Sequence, residues 1–169
     1  MRRPTLLATS ILFASLLFSL PATLADAKPK GRFVEVASLK DSSQILSFWS
    51  RLALRVTLEK SVADSGLARR TKRQGFYISP VVSKLTTTKM GNYTLVDCRV
   101  SLYLSRWTKD GGRHTIDAQG GATASASGSI QVANDEGHVK IGARNCALSV
   151  AENLIGNRVV PFVKTASRR

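Results

Sequence analysis

From Asp41 to Ala68 apolar residues return at helical spacing. Ile45, Trp49, Leu52, Val56 and Ala63 form one stripe, with Phe48 and Ala53 beside it, wide enough to cover a sheet. Asp41 followed three residues later by Gln44 has the form of a capping box, which sets the expected start of this helix. Leu54 and Leu58 fall on the opposite side among Arg51 and Arg55, where they are expected to be exposed or to meet a partner.

Beyond a cationic turn the period falls to two, and three strands are predicted. Phe76 to Thr87 places Phe76, Ile78, Pro80 and Val82 on one side; Pro80 has no N–H to donate, which predicts an edge strand or a bulge there. Tyr93 to Trp107 alternates Val96, Cys98, Val100, Leu102 and Leu104 with Asp97, Arg99, Ser101, Tyr103 and Ser105. After a turn at Lys109–Gly112, His114 to Ser127 alternates Ile116, Ala118, Ala122, Ala124 and Ala126, expected on the inner side, with polar outer residues. A low-complexity linker is the rival reading of GGATASASGS. Residues 129–138 read as a connector whose Asp135 and Glu136 favour the start of a second helix, from about Gly137 to Asn157. Its buried stripe is Val139, Ala143, Cys146, Ala147, Val150 and Leu154, and Gly156 or Asn157 can terminate it. RVVPFV then packs or extends.

These elements predict an α+β fold in which two helices pack on one face of a three- or four-stranded antiparallel sheet, in the order α-β-β-β-α. The single domain spans 41–163. Residues 28–40 are a basic lead-in with a short strand within RFVEVAS, and 164–169 are a basic tail.

The first residues have another logic. A basic start (MRRP), an apolar run from Thr5 to Leu20 and a small-x-small end at Ala25-Asp26-Ala27 are laid out as a secretory signal peptide, residues 1–27. Cleavage after Ala25 is the close alternative, and an uncleaved anchor the rival reading. No cysteine lies at the cleavage region, so a lipid anchor is not expected. About 142 residues remain, enough for one core and without a further membrane-length apolar stretch. The destination is periplasmic or secreted.

That destination bears on the two cysteines. Cys98 lies on the apolar side of the central strand and Cys146 on the buried stripe of the second helix. In an oxidising compartment two such cysteines are expected to pair, here as a buried structural disulfide joining helix to sheet.

Charge changes the functional picture most. The 169-residue chain holds 25 Lys and Arg against 11 Asp and Glu, a net charge of +14. Such a surplus favours anionic partners: LPS phosphates, anionic lipid, an acidic protein or nucleic acid. A merely solubilising surface is the plainer alternative. Arg69, Arg70, Lys72 and Arg73 form a compact candidate anion site, with Arg99 and Arg106 as a second patch. If one sheet face is open, Arg99, Tyr103 and Trp107 would be a basic-aromatic platform of the kind that stacks nucleic-acid bases.

Catalytic signatures are missing. There is no G-x-S-x-G, P-loop, H-E-x-x-H or C-x-x-C; no carboxylate pair or activated nucleophile can be named. No metal site or cofactor is expected, and the chain is read as a non-enzyme.

The order helix, meander, helix behind a signal peptide, closed by NCALSVAENLIGNRVVPFV, resembles small cell-envelope modules of Gram-negative bacteria. The LPS-assembly lipoprotein and the N-terminal domain of the Tol periplasmic protein are similar in outline. The resemblance covers the order of elements and implies no site residues. The resulting expectation is a non-catalytic periplasmic or secreted binding or accessory protein of the bacterial cell envelope. Its cationic surface would dock an anionic component or acidic partner protein. A secreted nucleic-acid-binding protein and an unrecognised hydrolase are the alternatives.

Overall fold

A computed structural model describes residues 32–71, 73–110 and 113–167, leaving aside the side chains at 114 and 118–120. The expected signal peptide lies outside the described residues. Two helices pack on one face of a mainly antiparallel sheet, as the periodicity predicts. The elements are β1 (Val34–Val36), β2 (Lys40–Asp41), α1 (Phe48–Asp64), β3 (Gln74–Met90), β4 (Tyr93–Asp110), β5 (Arg113–Ala133) and α2 (Glu136–Leu154). A π turn (Ile155–Val159) and a short α3 (Val160–Ala166) complete the described chain.

β3, β4 and β5 form a meander of long strands, with β1 and then β2 added in parallel along the outer side of β3. Pro80 is therefore not on an edge. The backbone groups of Phe76, Ile78 and Val82 bond towards β1 and β2: Phe76 N–H to the Phe33 carbonyl, Ala37 N–H to that of Ile78, and Ser42 N–H to that of Val82. Pro80 shares their parity, and it falls in the gap between the two short strands, where a missing donor costs no ladder bond. A register shift at Val82/Lys84 follows it. The third strand runs six residues further than expected, through Ala133, so half of the predicted connector is strand.

The core lies between the sheet and the helices. Val96, Val100 and Leu102 of β4 are buried in it, as are Ile78 and Val82 of β3. Cys98 and Cys146 form the expected disulfide, with a Cα–Cα distance of 6.1 Å. Gly128 stands opposite Cys98 on β5. A Cβ at Gly128 would come within 2.6 Å of Val150 Cγ2, so the missing side chain lets α2 approach the sheet at the bridge.

α1 departs from expectation in its start and its orientation. Asp41 does not cap it: its carboxylate accepts from Ser43 N–H and Leu46 N–H in the preceding turn, and Gln44 takes a φ of 59° there. Ser47 is the cap, its hydroxyl accepting from Ser50 N–H at 3.1 Å. The buried residues are Leu54, Leu58 and Val62. The predicted stripe faces outwards, with Phe48 62% and Trp49 74% exposed and Ile45, Leu52 and Val56 also exposed. This helix is apolar on two sides, so periodicity alone did not decide which side meets the core. It lies beside β1 and α2 and exposes the bulkier side.

The second helix also continues past its expected end. Gly156 does not terminate it; the chain widens into the π turn, and Val160 N–H bonds to the Ile155 carbonyl. Pro161, early in α3, has no N–H to give, and a widened turn ahead of it relieves the clash with the preceding carbonyls. Val159 and Val163 thus join the core.

On the other sheet face, Ala37, Tyr77, Trp107 and Ile116 form a small second cluster. Burial raises the Tyr77 phenol above its ordinary value of 10.0, helped by Glu35 and opposed by Arg55. The folded state thus favours the neutral phenol. That contribution is complete below the unfolded value near pH 10 and is lost as pH rises through the folded value. Unfolding measured between neutral pH and pH 11 is expected to show an alkaline loss of stability that Tyr77→Phe reduces; an unchanged profile would remove Tyr77 as its source.

Candidate anion-binding cleft

At the end of the sheet where β3 begins and β4 ends, the two expected cationic patches partly meet. Arg69, in the segment after α1, lies over the Phe33 ring with its guanidinium carbon 4.3 Å from the centroid. Arg106 of β4 lies over the Phe76 ring at 5.8 Å. The rings themselves are edge to face, at 5.7 Å, and Phe162 of α3 packs on Phe76 at 6.1 Å. Between them is a cleft of about 270 Å3, with Gln74, Trp107 and Asp117 also on its wall.

Backbone pairing holds these groups in place. Phe33 N–H donates to the Arg69 carbonyl at 2.8 Å, and Phe76 N–H donates to the Phe33 carbonyl at 2.7 Å. Phe76 and Arg106 are register partners across β3 and β4, and Arg106 pairs with Asp117 across β4 and β5. Gly75 is required for this convergence: a Cβ there would stand 2.4 Å from the Phe33 carbonyl oxygen and 2.6 Å from Trp107 Nε1. Two guanidinium groups held over rings at one cleft offer N–H donors to a phosphate or carboxylate, on a wall that also carries the Asp117 carboxylate.

The remaining predicted residues are distributed unevenly. Arg70 bridges to Arg32, and Arg73 accepts a backbone bond from Lys109 at 2.7 Å, so both lie at this end. Lys72 is outside the described residues. Arg99 does not join Arg106: their odd and even positions on β4 put them on opposite faces, and Arg99 pairs with Lys84 and Ser127 in register on the outer one. Nor does Trp107 serve as a platform, because it is fully buried. Tyr103 alone of that expected aromatic pair is exposed, at 41%.

The sequence reading did not assign Phe33, Phe76 and Phe162 to a site. Their only signal is the adjacency of aromatic and basic residues, as in Arg32-Phe33. Phe162 does not line the arginine cleft but walls a second one of about 370 Å3, with Leu104, Ala122, Ala124 and Arg158 around it. Small alanines on β5 leave that space open beneath the helical run.

Titratable groups elsewhere have structural roles. Asp135 caps α2 by accepting from His138 N–H at 2.9 Å, and its carboxylate also contacts the imidazole Nδ1. The backbone hydrogen bond, more than the ring, holds the Asp135 carboxyl below its ordinary range. Glu136 is lowered by its hydrogen bond to Lys140. No group of three or more His, Cys, Asp or Glu suited to a metal occurs among the described residues.

Comparison with solved structures places the architecture. A Xanthomonas campestris protein of the DUF330 family superposes with a TM-score of 0.54 at 12% identity, covering 82% of this chain and 89% of its own. The two share a fold. A Caulobacter crescentus protein described as a candidate lipoprotein matches at a TM-score of 0.49 and 12% identity, covering 79% of this chain and 92% of its own. A minor lipoprotein from Acinetobacter baumannii follows at 0.40 and 13%, covering 82% and 96%. No family model and no curated protein matches the chain. The resemblance drawn from the order of elements therefore holds at the coarser level of the α+β fold, which this chain shares with the DUF330 protein.

Proposed function

We propose that this is a non-catalytic binding or accessory protein of the bacterial cell envelope, which docks an anionic envelope component or an acidic partner protein. The observation that carries this reading is the convergence of Arg69 and Arg106, each over a phenylalanine ring, at one cleft. The net charge of +14 supports it by attracting anions from a distance. The Cys98–Cys146 disulfide supports an oxidising, extracytoplasmic location.

The test is a salt-graded binding panel on the exported protein: LPS, a phosphorylated soluble anion and duplex DNA, with an envelope pull-down alongside. Arg69→Ala with Arg106→Ala is expected to weaken binding to the preferred anion by on the order of tenfold or more, whereas Arg99→Ala leaves it nearly unchanged. Equal binding by the double variant would remove the cleft from the reading, and no binding to any target at low salt would remove the reading itself. Binding to DNA with a steep salt slope, lost on Arg99→Ala, would instead favour the outer sheet face, where Arg99, Lys84 and Tyr103 are exposed.

A further inference from the structure

We propose that the outer side of α1 is a second docking surface, and that its occupant is an anionic phospholipid bilayer. Phe48, Trp49, Leu52 and Val56 lie on one side of the helix, all exposed, with Ile45 continuing the patch into the preceding turn. Phe48 and Trp49 pack edge to face at 5.5 Å and present two aromatic rings together. Their display is fixed. Ser47 caps the helix, and Asp41 ties down the turn before it by accepting from Leu46 N–H at 2.8 Å. Leu54, Leu58 and Val62 hold the opposite side in the core. A helix apolar on two sides leaves one of them to be covered by something other than its own core.

Charge identifies the cover. Arg51 and Arg55 border the aromatic patch on one side and Lys60 on the other, and the one carboxylate within that stretch, Glu59, is bonded to Arg55 at 3.0 Å. Phe48, Leu52, Arg51 and Arg55 also line a notch of about 260 Å3 with Leu39, which puts guanidinium groups beside an apolar hollow. Aromatic and aliphatic residues on one helix side with cations at its margins match the boundary between headgroups and acyl chains. Lipid phosphates meet the cations while the rings enter the apolar layer. A second copy of this chain fits less well, since face-to-face pairing would bring Arg51, Arg55 and Lys60 of both copies together on molecules each carrying +14. This surface is separate from the Arg69–Arg106 cleft, so the two can be tested apart.

The exported, disulfide-bonded protein is mixed with phosphatidylcholine vesicles, with or without phosphatidylglycerol, and floated at graded salt. Binding is expected with phosphatidylglycerol and to weaken as salt rises. Phe48→Ala with Trp49→Ala is expected to reduce it on the order of tenfold or more. The wild type supplies a readout that needs no variant. Trp107 is fully buried, so quenching of tryptophan emission by brominated acyl chains reports Trp49. No flotation with phosphatidylglycerol at low salt, or no quenching, would overturn the proposal. So would a dimer in sedimentation that becomes a monomer on replacing Phe48 and Trp49, since a second copy would then be the cover.

Discussion

Replacing Cys98 and Cys146 together by alanine is expected to lower the unfolding free energy by about 4 kcal/mol. The bond joins residues 48 apart in sequence, and closing a loop of that length removes conformational entropy chiefly from the unfolded chain. The folded state gives little back. Cys98 and Cys146 are both buried, Gly128 leaves room for them, and α2 already packs on β4 and β5 there. Small domains are stable by only about 5–15 kcal/mol, so the variant should lie close to its threshold. Urea unfolding of the oxidised wild type and the variant checks this. The midpoint should fall, and the slope should steepen because an uncrosslinked unfolded chain exposes more surface. Matching midpoints would show that packing alone fastens the second helix.

Leu58→Ala is expected to cost about 2–5 kcal/mol, whereas Trp49→Ala should change stability by no more than about 0.5 kcal/mol. Leu58 has no exposed surface, and Trp49 is 74% exposed. The pair decides the orientation of α1, because a helix turned the other way reverses the order. Chemical unfolding of both variants reads the difference directly. A large loss for Trp49→Ala with little for Leu58→Ala would place the aromatic side in the core and remove the bilayer surface proposed above.

The reversal of α1 shows where sequence periodicity stops. Its alternation-based counterpart on β4 was readable because the outward positions from 97 to 105 carry polar or charged residues: Asp97, Arg99, Ser101, Tyr103 and Ser105. On α1 both sides are apolar, and the stripe with the larger rings looked the better core while the one with Leu54, Leu58 and Val62 fitted between β1 and α2. The disulfide was legible for the opposite reason: each cysteine lay on an unambiguous apolar side, and a single covering helix brings those sides together. Pro80 misled because the rule against internal prolines assumes continuous neighbours, and β1 and β2 leave a gap opposite it.

The site was half legible. Arg69 and Arg106 could be named as cations, but not as neighbours. Their meeting depends on Phe33 pairing in parallel with the start of β3, and on Gly75 letting Trp107 and the Phe33 backbone close in. Parallel contacts between distant segments have no local pattern to betray them. Arg99 was grouped with Arg106 by proximity in sequence, which an odd separation along a strand undoes.

The widened turn at Ile155–Val159 also sets the phase of everything after it. One surplus residue in that turn shifts the final helical segment round its axis, which is why Val163 points inwards while Phe162 reaches Phe76. Ala166 and Ser167, which line the arginine cleft, are therefore positioned by a widened turn earlier in the chain. Chain length through this turn, as much as the identity of any side chain, governs the shape of the cavity the arginines flank.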